Sequence, residues 1–236
     1  MCRFNRKGTA FVNEQDVALF CETLCQGSLQ MGISLTRTQV DQMLCHAEHL
    51  ENWNRKINLT AITGAGAMAR KHFLDAIAVQ EFVKHETTVL DMGSGGGFPG
   101  LPLKVLNGHM QVVLMDASRK KINFLKHVIR MMGTGGVDAI HGRIEDFHQD
   151  SDFTGSFGAV LARGFASLPS MAALAAPLLH TKGTIYALKS PTAAAEEITA
   201  ALKKQFVIQC DYYTLPLEET QRCLIRLSPK KKVPAS

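Results

Sequence analysis

The residues whose types and spacing could do chemistry are concentrated in Val89-Leu90-Asp91-Met92-Gly93-Ser94-Gly95-Gly96-Gly97-Phe98-Pro99-Gly100, a short apolar run that ends in an acid and turns into five glycines. Glycine lets a backbone approach a ligand closely and accept positive φ. In a doubly wound fold, ligands sit outside the carboxyl ends of the strands, so a nucleoside-sized cofactor is expected at this turn; the alternative is a flexible turn that holds nothing. Gly95-x-Gly97-x-x-Gly100 formally satisfies the dinucleotide-binding pattern. The offset argues against it, because the last apolar residues of the strand are Val89 and Leu90 and the turn is under way by Gly93.

A second acid, Asp116, closes the next strand 25 residues after Asp91 and could accept hydrogen bonds from ribose hydroxyls. After a third strand, Gly142-Arg143-Ile144-Glu145-Asp146-Phe147 would place backbone and an apolar side chain where an adenine ring stacks. Glu145 and Asp146 can equally be read as acids at a helix N-terminus, where they favour the helix dipole.

The elements that must position these residues alternate. Strands are expected at 88–92, 111–115, 137–141, 158–161 and 184–188, with helices opening at Ser118, near Met171 and over 198–203. Such alternation predicts a parallel sheet covered on both faces. Two strand-like runs at the end, 206–210 and 222–227, have no helix between them and should pair antiparallel at one sheet edge. The first 70 residues read as a helical extension packed on the domain formed by 71–236. Within the extension, Thr36-x-x-Gln39 has capping-box form, and Val40, Met43, Leu44, Ala47 and Leu50 follow helical spacing. A further helical pattern carries Leu74, Ile77, Ala78 and Phe82.

Composition narrows the class. A chain of 236 residues with 46% hydrophobic content can bury a full core, and a net charge of +5 suits a polyanionic partner without requiring one. The six cysteines form no C-x-x-C pair and lack a histidine at metal spacing, so no metal site is expected. With no signal pattern at the N-terminus and no apolar run long enough for a membrane span, a cytoplasmic protein without membrane contact is expected.

In this order, several motifs resemble one family, the bacterial 16S rRNA (guanine-N7) methyltransferases, also called RsmG or glucose-inhibited division protein B. The resemblance runs from about Gly32 to Arg226. It is carried by Trp53 to Thr60, His72-Phe73-Leu74-Asp75, the acid followed by Gly93-Ser94-Gly95, Phe98-Pro99-Gly100-Leu101-Pro102, Met115-Asp116-Ala117-Ser118, Arg143-Ile144-Glu145, Ala162 to Leu168 and Ala187-Leu188-Lys189. The resemblance implies a Rossmann-like class I methyltransferase fold, mostly parallel and seven-stranded with an antiparallel last strand. It also implies S-adenosyl-L-methionine as cofactor, 16S ribosomal RNA or the small-subunit particle as partner, and action as a monomer.

By the same match, Gly93, Phe98, Ile144, Glu145 and Arg163 hold the cofactor together with Asp116, and Arg163 is also the expected catalytic residue. His72, Asp75, Arg119, Lys120 and Lys189 are expected on the substrate side. Gly96, Gly164 and Ser190 depart from the family's usual proline, alanine and glycine. Guanine N7 has a lone pair and no proton, so methyl transfer to it needs alignment and no general base. Arg163 could grip guanine O6, a phosphate or the cofactor carboxylate, or form a structural ion pair with Glu145 or Asp146. Arg119, Lys120 and Lys121 sit where cations oppose a helix dipole, which a passing phosphate backbone or Asp116 could offset. With Lys126, Arg130 and Lys230 to Lys232 they would form a basic rim. The competing readings are an NAD-dependent oxidoreductase and a non-catalytic RNA-binding protein.

Overall fold

The structure, a computed structural model, describes residues 13–150 and 152–230. Cys2 and the Lys231 and Lys232 part of the basic tail lie outside the described residues.

Seven strands form the sheet: β1 (Thr88–Met92), β2 (Gln111–Asp116), β3 (Val137–His141), β4 (Phe157–Arg163), β5 (Leu179–Lys189), β6 (Phe206–Thr214) and β7 (Gln221–Pro229). Their order is β3-β2-β1-β4-β5-β7-β6. β1 to β5 run parallel, and β7 lies antiparallel between β5 and β6. The chain winds outward from β1 through β2 to β3, then returns to β4 on the other side of β1. Neighbouring connections diverge there, which opens a crevice at the carboxyl ends of β1 and β4.

Side chains alternate across the sheet, as a strand buried on both faces requires. Val89, Val112, Leu114, Ala159 and Leu161 join one core, while Leu90, Met92, Val160 and Ile185 join the other. The first core is covered by α1 (Glu14–Gln30), α2 (Arg37–Ile57), α3 (Ala65–Met68), α4 (Asp75–Ile77), α5 (Gln80–Val83), α6 (Gly100–Leu106) and α7 (Arg119–Met132). α8 (Leu168–Ala175), α9 (Pro191–Glu197) and α10 (Ala200–Gln205) cover the second.

α2 opens on the expected capping box: the Thr36 hydroxyl accepts from Gln39 N, and Gln39 Oε1 accepts from Thr36 N. Val40, Met43, Ala47 and Leu50 are buried, and Leu44 packs at the edge of the same core. Two helices differ from expectation. The pattern from Leu74 to Phe82 is interrupted: a π-helical turn, Ala69–Leu74, joins α3 to α4. The helix expected over 198–203 starts later, at Ala200, because Ile198 and Thr199 are extended and the Thr199 hydroxyl caps α10 by accepting from Leu202 N. Ser190 caps α9 in the same way through Ala193 N, a bond that glycine at this position would lack.

Candidate functional site

At the crevice, Gly93, Gly95 and Gly97 have φ of 71°, 55° and 91°. This left-handed backbone opens the turn and aims amides outward. The turn is fixed from beneath. Gly93 N and Ser94 N donate to Met115 O, and Gly95 N donates to Asp116 Oδ2 at 3.0 Å. Asp91 Oδ2 accepts from Gly100 N at 2.8 Å, which ties the acid at the end of β1 to the start of α6. Complete burial pushes the Asp91 carboxyl up to about 7, against the opposing pull of the Gly100 amide.

Two cavities flank Gly93. The first, about 230 Å3, is bounded by Met92, Gly93, Asp116, Gly142, Ile144 and Glu145. Ile144 supplies the expected apolar wall, whereas Phe147 turns away and packs on Phe153 at 5.0 Å. The two acids after the third strand divide their roles: Glu145 lines the cavity, and Asp146 Oδ2 accepts from Arg143 N. The second cavity, about 180 Å3, is bounded by Thr60, His72, Ser94, Gly95, Lys121 and Arg163, with Gly93 shared between the two. Ammonium and guanidinium walls make it suited to an anionic group. A larger open groove, about 680 Å3, lies between the end of α7 and the edge strand β3, away from the glycine turn.

Behind the second cavity is a buried stack. Phe98 lies between His46 and His72, with centroids 4.7 and 4.5 Å away and both pairs within 13° of parallel. The Arg163 guanidinium carbon is 5.2 Å from the Phe98 centroid. A carbonyl oxygen only accepts, so His46 Nε2 donates to Gly96 O at 2.7 Å. Burial pushes the His46 pKa down to about 4, which keeps the ring neutral.

Arg163 sits at the centre of a polar cluster. Its Nη1 donates to Lys71 O at 3.0 Å and to Asp75 Oδ2 at 3.1 Å, and Nη2 donates to His72 Nδ1 at 2.7 Å. A guanidinium has no acceptor, so His72 carries its hydrogen on Nε2, which reaches Thr60 Oγ1 at 2.8 Å. Burial and the adjacent Arg163 charge push the His72 pKa down to about 3. Asp75 also accepts from the Tyr213 hydroxyl at 2.9 Å and lies 3.8 Å from Arg222 Nε. The ion pair of Arg163 is therefore with Asp75, and the expected alternative with Glu145 or Asp146 does not form. Asp75 reaches Arg163 from α4, whereas both alternative acids are committed to the other cavity and to a 310 turn.

The structure thus brings together Gly93, Phe98, Asp116, Ile144, Glu145, His72, Asp75 and Arg163 around one crevice. Lys189 is turned away from both cavities: its ammonium donates to Ala166 O at 2.7 Å and to both Glu197 oxygens. Glu197 in turn accepts from Leu168 N, so this pair anchors the connection that follows β4. Arg119 and Lys120 are exposed at the start of α7, beyond the cavity walls. Lys121 alone of that basic trio approaches Asp116, at 3.7 Å.

A family model described as rRNA small subunit methyltransferase G matches residues 39–225. The chain belongs to this family. A ribosomal RNA small subunit methyltransferase G from Geobacter sp. (strain M21) is 38% identical over 209 residues, covering 86% of this chain and 95% of the relative. One from Halalkalibacterium halodurans is 38% identical over 212 residues, 87% of this chain and 89% of the relative. Among solved structures, a predicted O-methyltransferase from Agrobacterium tumefaciens matches with a TM-score of 0.53 at 15% identity, over 62% of this chain and 75% of that one. P. horikoshii TYW2 in complex with MeSAdo matches at 0.50 and 14% identity, over 66% and 61%. These two likenesses concern the fold, which methyltransferase G shares with them.

Thr60, Tyr213, Arg222 and His46 complete the site but are not singled out by sequence. Tyr213 and Arg222 are direct cross-strand partners of β6 and β7, so a register for the final hairpin would have paired them. His46 falls on the buried stripe of α2, where histidine reads as ordinary core.

Proposed function

We propose that the protein transfers a methyl group from S-adenosyl-L-methionine to N7 of a guanine in 16S ribosomal RNA. The observation that carries this reading is the pair of cavities meeting over Gly93, at the sheet crevice of a chain in the methyltransferase G family. The residues present fit such a cofactor: Gly93, at φ 71°, brings backbone without a side chain to the junction of the cavities, Ile144 and Met115 offer apolar walls, and Asp116 and Glu145 offer acceptors for ribose hydroxyls. When bound, the cofactor supplies a methyl group activated on a sulfonium.

Gly93, Asp116, Ile144 and Glu145 bind the nucleoside part. Lys121 and Arg163, with the Ser94 to Gly96 backbone, receive the carboxylate end. Phe98 lines the same cavity and, stacked between His46 and His72, holds His72 and Arg163 in place. No general base is needed at N7, so this chain's contribution is alignment, exclusion of water and charge balance. Asp75 offsets the Arg163 guanidinium, which would otherwise oppose the positive charge that passes from sulfur to the base.

Arg119 and Lys120, with Lys126 and Arg130 further along α7, face the RNA backbone. Action as a monomer in the cytoplasm, where an RNA substrate of this kind is made, belongs to the same proposal. Among the described residues, no helix is long and apolar enough to cross a membrane. Incubating 16S RNA and small-subunit particles with labelled S-adenosyl-L-methionine, followed by nucleoside mass spectrometry, should yield 7-methylguanosine. A label on another atom, or none, would refute the reading.

A further inference from the structure

Phe165 stands out among the residues of the crevice. It follows β4, lines the first cavity and is 37% exposed, so part of a large apolar ring stands open at the mouth of the crevice. The ring lies directly on Gly93: a Cβ added there would meet Phe165 alone, overlapping Cδ2 and coming within 3.3 Å of Cγ and Cε2. Phe165 lines the first cavity and its neighbour Gly164 lines the second, so the ring closes the short path between them over the one residue they share. A single ligand reaching from one cavity to the other would meet it.

The backbone on either side is tied down. Arg163 is held by Asp75, Lys71 and His72, while Ala166 O is held by Lys189 and Leu168 N by Glu197. Between these anchors Gly164 has φ of 63° and open space where a Cβ would stand. A residue without a side chain, at the base of an exposed ring and between two fixed points, is a place where the backbone can turn without disturbing either anchor.

We propose that Phe165 is a swinging aromatic gate: its ring leaves Gly93 to let the cofactor span both cavities, and in that open position offers its face to the target purine. This rests on the proposed methyl transfer and adds the residue that couples cofactor entry to base positioning. In the closed position the ring competes with the cofactor, so the apparent affinity is reduced by the fraction of molecules that are open. In the open position it gives the purine a stacking platform at the carboxyl edge, beside Arg163. Stacking of this kind changes binding by roughly tenfold to a hundredfold when the ring is removed.

The test compares Phe165→Ala, Phe165→Leu and Phe165→Tyr in the full chain, reading the Kd for S-adenosylhomocysteine by calorimetry and kcat and KM for RNA methylation. Ala and Leu should bind S-adenosylhomocysteine more tightly than the parent, by about threefold or more. The same two should raise KM for RNA by roughly tenfold to a hundredfold. Phe165→Tyr should keep the KM of the parent. A merely structural role would weaken both ligands together. Unchanged or weaker S-adenosylhomocysteine binding in both Ala and Leu variants overturns the gate, and unchanged KM for RNA overturns the platform. Two truncations guard against one that does not fold: leucine keeps apolar bulk at this turn but has no ring to lie across Gly93. If the parent protein itself neither bound S-adenosylhomocysteine nor labelled RNA, the methyl-transfer reading would fail instead.

Discussion

The two halves of the crevice are built on opposite principles. The half that faces Ile144 and Asp116 is made of residues in sequence order at the carboxyl ends of β1, β2 and β3, with Phe165 added from beyond β4. The half that faces Arg163 joins the glycine turn to long side chains converging from the π-helical turn, α4, β4, β6 and β7. The first holds its shape through the ends of neighbouring parallel strands, and the second through mutual neutralisation of charges behind the turn. Damage to the first should therefore show mainly in ligand binding, and damage to the second in both binding and folding.

Arg163→Ala gives the largest expected effect and the sharpest test of that division. It leaves the buried Asp75 carboxylate with only Tyr213 and the more distant Arg222, and strips His72 Nδ1 of its donor. Breaking a buried pair from one side costs about 3–5 kcal/mol, so urea unfolding should register a loss of that order alongside a large drop in methylation. Loss of methylation with unchanged stability would mean that the cluster is not what holds this half together.

The pH dependence of stability separates the halves by sign. His46 and His72 resist protonation down to about 4 and about 3, while unfolded imidazole takes up a proton near 6.5. As pH falls from about 6.5 to about 4, the unfolded chain gains two protons that the folded chain does not, and stability drops. Asp91 opposes this, because its carboxyl, raised to about 7, already holds a proton in the folded state that the unfolded chain binds only near 3.8. That advantage is present at low pH and is lost as pH rises through about 7. For these three groups the net uptake on unfolding is about one proton, a slope of roughly 1.4 kcal/mol per pH unit between pH 4 and 6.5. Asp91→Asn should make the slope steeper, and a shallower slope in that variant would show that Asp91 is ionised in the fold.

Gly93→Ala should cost less in stability and more in binding. Alanine at φ 71° costs about 1–2 kcal/mol, and its methyl stands where the two cavities meet. Calorimetry with S-adenosylhomocysteine should show at least about tenfold weaker binding; the strain is present in free and bound protein alike, so the loss reports the methyl in the cavity, and an unchanged Kd would clear that position of any part in binding. Gly96→Ala is expected to be nearly silent, within about 0.5 kcal/mol by thermal melting, because only the movable end of Leu50, 2.9 Å away, must yield.

The contrast also explains what the sequence could disclose. Asp91, the glycines and Asp116 are separated by fixed short offsets along strand, turn and strand, so period and spacing were enough to bring them together. The strands were legible because the central ones are short apolar runs bounded by turn residues and the final two are joined without a helix. The Arg163 cluster had no such periodicity: Asp75 reaches it only because a π-helical turn resets the helix that precedes it, and Tyr213 arrives from a hairpin whose register depends on pairing with β7. The family likeness pointed to His72, Asp75 and Arg163 as ligands, and the geometry shows that they first bind one another. Lys189 illustrates the limit, because its place in a motif did not reveal that Glu197, eight residues on, would claim its ammonium.

β7 carries a temporal consequence. It is the last strand along the chain, yet it is inserted between β5 and β6, with Arg222 beside Asp75. During synthesis β6 has no partner of its own until this segment leaves the ribosome, and the charge of Asp75 is balanced only incompletely before then. The polar cluster around Arg163 therefore closes only when 221–229 has slotted between its two neighbours, so substrate-side order and completion of the sheet are a single event.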